Sequence, residues 1–206
     1  MMKKSFVLAC LAASVSMAAV PVMAESIKGR VGVTGKIGFM LPANSDYGNN
    51  KIDTDAGFIG GGGFIYGIDN HFAAELDVTR TEFGSNLPDG TNTGDFGVTN
   101  ISLGGQYRFV SENTKLVPYL GAGLDILLCD YDPSANFSTR THDVDTTVGI
   151  HVTGGVDYFL MKQLALTAEA KALAAPDTDI SNADGKKGNF DPSGVSGTFG
   201  VRFFFN

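Results

Sequence analysis

Leu116-Val117-Pro118-Tyr119-Leu120-Gly121-Ala122-Gly123-Leu124-Asp125-Ile126-Leu127-Leu128-Cys129 is the stretch on which the fold turns. Its order has period 2 rather than 3.6. Leu116, Leu120, Ala122, Leu124, Ile126 and Leu128 share one parity, while Tyr119, Gly121, Gly123 and Asp125 share the other. Successive side chains of a strand point to opposite faces, so this is a strand with one apolar face and one small or polar face.

The same alternation recurs in seven further segments. Near 28–41, Val31, Val33, Gly35, Ile37, Phe39 and Leu41 oppose Arg30, Thr34, Lys36 and Met40. Near 55–67, Ala56, Phe58, Phe64 and Tyr66 share a face around the run Gly60-Gly61-Gly62-Gly63, where glycine permits curvature or close backbone approach. Near 71–82, Phe72, Ala74, Leu76 and Val78 oppose Ala73, Glu75, Asp77 and Thr79. Near 95–109, Ile101, Leu103, Tyr107 and Phe109 oppose Asn100, Ser102, Gln106 and Arg108. Near 144–160, Val148, Ile150, Val152, Val156 and Tyr158 oppose Thr147, His151, Thr153 and Asp157. Near 164–173, Leu164, Leu166, Ala168 and Ala170 oppose Thr167, Glu169 and Lys171, and near 195–205, Val195, Phe199, Val201, Phe203 and Phe205 oppose Ser196, Thr198 and Arg202.

The connections alternate in length. Those near 42–54, 83–94, 130–143 and 174–194 are long and rich in Asn, Asp, Gly, Ser and Pro. Those at Ile68-Asp69-Asn70, Val110 to Lys115 and Met161-Lys162-Gln163 are short. Short turns at one end and long loops at the other predict an all-β, eight-stranded antiparallel up-and-down transmembrane barrel of the bacterial outer membrane.

Export fits this reading. Met1-Met2-Lys3-Lys4, the apolar Phe6 to Val20 and Val22-Met23-Ala24 compose a signal peptide over 1–24, leaving the barrel as the single domain 25–206. Losing Lys3 and Lys4 leaves 13 of the 15 cations against 22 acids, a formal charge of −9 that speaks against nucleic acid as a partner. Cys10 falls in the leader, so Cys129 has no intramolecular partner. No later stretch has the roughly 18 consecutive apolar residues of a membrane-spanning helix. A soluble barrel would also alternate, with its apolar face inward. Here Tyr66, Tyr107, Phe109, Tyr158, Phe203 and Phe205 all share their strand's apolar parity at the short-turn end. They compose a membrane girdle, without the usual Trp.

Val117-Pro118-Tyr119-Leu120-Gly121-Ala122-Gly123, Gly155-Val156-Asp157-Tyr158-Phe159-Leu160, Asp177-Thr178-Asp179-Ile180 and Phe190-Asp191-Pro192 resemble segments of the outer membrane protein W family. The terminal Gly200-Val201-Arg202-Phe203-Phe204-Phe205 resembles the C-terminal signal of outer-membrane proteins, although Asn206 follows the last aromatic. The resemblance implies an eight-stranded barrel passing small hydrophobic solutes through an apolar channel that opens sideways. It implies as partners outer-membrane lipid and lipopolysaccharide, and periplasmic chaperones with the barrel-assembly machinery. No cofactor is implied.

Inward parity collects a lumen charge network of Arg30, Lys36, Glu75, Asp77, Arg108, Asp125, His151, Glu169, Lys171 and Arg202. These form a selective pore, or ion pairs that plug it, because charges removed from water must be paired. Met40, Ile59, Val98, Leu127 and Leu173 share that parity near the loop end. They form an upper apolar pocket for a hydrophobic ligand, or pack beneath the loops. A hydrolase would need a nucleophile, base and acid in reach. Ser138, His142 and Asp143 offer those types only in a loop, so no enzyme is expected. His71, His151 and Cys129 match no zinc spacing. The four long loops leave open a structural or surface-interaction role, in which they bind phage or host factors over a plugged lumen.

Overall fold

The computed structural model describes residues 26–42, 45–47, 50–52, 56–86, 92–110, 115–133, 143–144, 146–176, 178–182 and 185–205. The signal peptide expected at 1–24 lies outside the described residues, as do Ser138 and His142. Eight strands form the wall: β1 (Val31–Pro42), β2 (Gly57–Gly67), β3 (Phe72–Asn86), β4 (Asn92–Arg108), β5 (Leu116–Pro133), β6 (Thr147–Met161), β7 (Leu164–Ala174) and β8 (Gly194–Phe204). Each pairs antiparallel with its sequence neighbours, and β1 closes on β8 from Gly32↔Phe204 to Pro42↔Gly194. Closure leaves no sheet edge, the condition for strands to cross hydrocarbon.

The parity of β5 decides which way the barrel faces. Leu124 is 59% exposed and Phe203 is 41% exposed, whereas their neighbours Asp125 and Arg202 are both 0% exposed. Greasy side chains outside and charges inside invert the pattern of a soluble barrel. Only lipid makes so large an apolar surface stable. No described helix is long and apolar enough to cross a membrane, so the crossing is made by strands.

Three features depart from the sequence reading. The β3–β4 hairpin extends to Asn86 and Asn92, and β5 reaches Pro133, beyond the expected ends near 82, 95 and 129. Backbone pairing satisfies N–H and C=O groups whatever side chains they carry, so loop-type residues continue the ladder. The long connections also build a five-stranded sheet of their own, ordered Asn50–Ile52, Ser45–Tyr47, Gly185–Phe190, Thr178–Asn182, Asp143–Val144. Finally, residues 26–30 precede β1 as a tight strap rather than strand. Gly29 takes φ +72°, its N–H donates to the Gly67 carbonyl at 2.7 Å, and Arg30 N–H donates to Ile27 O at 2.9 Å. That geometry drives Ile27 beneath the barrel, where it is buried.

Candidate functional site in the barrel lumen

From the short-turn end upward, the lumen has an apolar layer, a charged layer and an apolar ring. The lowest layer is Ile27, Ile65, Ala73, Val117, Phe159, Ala165 and Phe204, all buried in one cluster. Phe159 and Phe204 stack at 5.9 Å between centroids. Their neighbours Tyr158 and Phe203 point to lipid, so strand parity alone separates plug from girdle.

Above this layer lies Asp157, fully buried on β6 between two arginines. Arg108 Nη2 donates to Asp157 Oδ2 at 2.7 Å, and Arg202 Nη1 reaches the same carboxylate at 2.9 and 3.1 Å. Arg202 also donates to Glu75 Oε1 at 2.7 Å and to Thr34 Oγ1 at 3.1 Å. Gln106 bridges, donating to Glu75 and accepting from Arg108 Nη1. Both guanidiniums lie over the Tyr119 ring, at 5.8 and 5.3 Å from its centroid, and the Tyr119 hydroxyl donates to Glu169 Oε2 at 2.9 Å. Gly155 makes room for that ring, because a Cβ there would run into the phenol. Charge-assisted bonds shared this way satisfy groups that would be costly alone in a low-dielectric interior.

Two further clusters complete the floor of the upper lumen. Lys36 Nζ lies 2.6 Å from Asp77 Oδ2 and 3.3 Å from Glu169 Oε1. Asp125 accepts from Lys171 Nζ at 2.6 Å and Asn100 Nδ2 at 2.8 Å, and its other oxygen lies 2.5 Å from His151 Nδ1. Lys171 also donates to Ser102 Oγ at 2.9 Å. Gly123 seats the imidazole, since a Cβ there would lie 2.7 Å from His151 Cε1.

At the top, Met40, Val98, Leu127 and Leu173 pack into one buried cluster beside the half-buried Cys129, and the buried Ile59 lines the same cavity. The cavity has a volume of about 30 Å³. Thr79, Thr81, Ser196 and Thr198 line it between the ring and Lys36.

Of the ten charged residues that parity collects, nine join these clusters and Arg30 stands apart. Its guanidinium donates to the carbonyls of Lys162 at 2.9 Å and of Phe204 and Phe205 at 3.4 Å, bolting the strap to the end of β8. The reason is position: Arg30 precedes β1 and lies below the wall it was expected to line. The expected list lacked Asp157, Tyr119 and Gln106, although all have inward parity. The six girdle aromatics are outward and between 40% and 48% exposed, with Tyr107 in edge contact with Phe72 and Phe109. His71 stacks on Tyr107 at 5.7 Å.

Solved structures share this architecture. OprG from Pseudomonas aeruginosa superposes with a TM-score of 0.74 at 18% identity, over 89% of this chain and 99% of that one. Neisserial surface protein A gives 0.58 at 21% identity, over 85% and 97%. Outer membrane protein W of E. coli gives 0.50 at 15%, over 86% and 98%. No curated protein sequence matches the chain. The family model described as the outer membrane protein beta-barrel domain matches residues 10–203. With a closed antiparallel wall, an apolar outer band and a match along most of its length, the chain belongs to the outer membrane protein β-barrel domain family and is a protein of the bacterial outer membrane.

Proposed function

We propose that this barrel captures small hydrophobic molecules at its extracellular mouth and releases them sideways into the membrane. The observation that carries this reading is the apolar ring of Met40, Ile59, Val98, Leu127 and Leu173 lying above a floor of paired charges. A hydrophobic solute gains by entering the ring. It gains nothing by going further, because the next layer is ionic and the one below is tightly packed. Exit to the side is then the remaining route. Among the described residues, pairing of β5 with β6 runs to Leu127↔Thr147, while β5 continues to Pro133 against β4.

The test is uptake of a fluorescent hydrophobic probe by vesicles holding the assembled barrel. Leu127→Asp and Leu173→Asp each place a charge in the ring and are expected to cut initial uptake at least severalfold. Ion conductance across planar bilayers stays near zero in wild type and variants alike. Unchanged uptake in correctly assembled variants would count against the reading.

A surface-interaction role is the second reading, favoured by the five-stranded sheet built from the long connections. Loss of phage or host-cell binding when those segments are removed, with uptake intact, supports it.

A further inference from the structure

Between the ring and the charged floor lie three polar side chains. Thr79, Ser196 and Thr198 are each more than nine-tenths buried and line the upper cavity. None of the three takes part in the ion-pair clusters of the floor. A hydroxyl that lines a cavity can donate to, and accept from, whatever enters it. Three such side chains surround one space. Glycine stands opposite two of them. Gly38 pairs with Thr198 and Gly61 with Thr79, both at inward positions, and a Cβ at either glycine would lie 2.7 Å from the Cα of the threonine beside it.

We infer that Thr79, Ser196 and Thr198 form a polar collar that binds the neutral head group of an amphipathic solute whose alkyl part lies in the apolar ring. This deepens the uptake reading and rests on it. The sign of the head group follows from the floor. Lys36, Arg108, Lys171 and Arg202 face five carboxylates, Glu75, Asp77, Asp125, Asp157 and Glu169. Both lysines beneath the collar are already committed, Lys36 to Asp77 and Glu169, Lys171 to Asp125 and Ser102. With both lysines already paired, an added carboxylate finds no spare cation. A hydroxyl or carbonyl head, by contrast, is served by hydroxyls that donate and accept. The solute class is therefore the neutral single-headed amphiphile, of which a primary alcohol is the simplest member.

The experiment titrates 1-octanol, n-octane and octanoate into the full barrel in phosphatidylcholine nanodiscs. The methyl resonances of Ile59, Val98, Leu127 and Leu173 report occupancy of the ring itself, separately from partition into lipid. Wild type is expected to bind 1-octanol about tenfold more tightly than n-octane or octanoate, the worth of one or two neutral hydrogen bonds. The near-isosteric Thr79→Val, Ser196→Ala, Thr198→Val triple variant should reduce that advantage to about twofold or less, leaving n-octane binding unchanged. A heat-modifiable gel shift confirms its assembly. Should the triple fail to assemble, Thr198→Val alone is expected to lose part of the advantage, and Thr198→Ser, which keeps the hydroxyl, to retain it. An alcohol advantage that persists in the assembled variants overturns the collar, as does tightest binding by octanoate. Ring methyls that respond equally to octane and octanol overturn the collar but leave the uptake reading standing. Ring methyls that respond to none of the three overturn both.

Discussion

The lower and upper halves of the lumen are lined by the same eight strands, yet they handle polarity in opposite ways. In the lower half, Asp157 is shared between Arg108 and Arg202, and stacked phenylalanines close the space beneath. In the upper half, the Asp125 cluster opens onto a cavity lined by hydroxyls and covered by apolar side chains. The first arrangement fills its space with paired charges and packed rings, and the second leaves a cavity. Eight strands enclose an interior about wide enough for side chains to fill, and packing and ion pairing fill its lower half.

The sharpest way to break this contrast is to remove one carboxylate from each half. Asp157→Asn keeps shape but leaves Arg108 and Arg202 without their shared anion in a fully buried site. A loss of about 3–5 kcal/mol is expected, the usual cost of orphaning a buried charge. Asp125→Asn loses its ion pair with Lys171, whose side chain is 16% exposed beside the cavity and can be partly rehydrated. About 1–3 kcal/mol is expected there. Equilibrium urea unfolding in phospholipid vesicles, read by the heat-modifiable shift, measures both. Equal losses, or a larger one for Asp125→Asn, would show that the halves do not differ.

Phe159→Ala probes the seal itself. It removes one ring of the stacked pair in a region with no room to relax, so a loss of about 3 kcal/mol is expected. Single-channel recording should still find no ion conductance, because the Arg108–Asp157–Arg202 layer above remains. Conductance in this variant would mean that the phenylalanines, and not the ion pairs, close the barrel. Leu127→Ala at the other end borders a cavity. Its cost is expected to be smaller, about 1–2 kcal/mol, with hydrophobic-probe uptake raised severalfold as the mouth widens.

How much of this was legible in the sequence depends on whether the information runs along a strand or across the barrel. Period 2 in β5 and the alternation of short and long connections reveal strand number, topology and facing. They also place Met40, Ile59, Val98, Leu127 and Leu173 at one height. Asp157 has the same inward parity as Arg108 and Arg202, but which of many inward charges meet depends on barrel curvature, which no local pattern encodes. Phe204 sits between Phe203 and Phe205, and residue type alone assigns all three to the membrane girdle; only parity turns the middle one inward. Ile27 gives no signal at all, because it precedes the first strand and is carried under the barrel by a left-handed glycine. Thr79, Ser196 and Thr198 read as ordinary inward polar residues. Their convergence on one cavity exists only in three dimensions.

The smallest expected effect lies outside the membrane, at the periplasmic turn joining β2 and β3, and it sets a baseline for the sealed end. Asp69 Oδ1 accepts from the backbone N–H groups of His71 and Phe72, both at 2.7 Å, and these two donors hold its carboxyl below the ordinary value. A group whose pKa is lowered by folding stabilises above its unfolded value, near pH 4, and that contribution fades as pH falls through the lower folded value. Amide exchange at His71 and Phe72 is therefore expected to speed up on acidification below about pH 4. Asp69→Asn, which has no carboxyl to titrate, should abolish that pH dependence. Global unfolding at neutral pH should barely respond to Asp69→Asn, because the turn is solvent-exposed and the layer of Ile27, Phe159 and Phe204 above it is held by packing. If Asp69→Asn instead loosened the whole lower half together with the turn, the seal would depend on its periplasmic hairpins and not on the packing and ion pairs of the lumen.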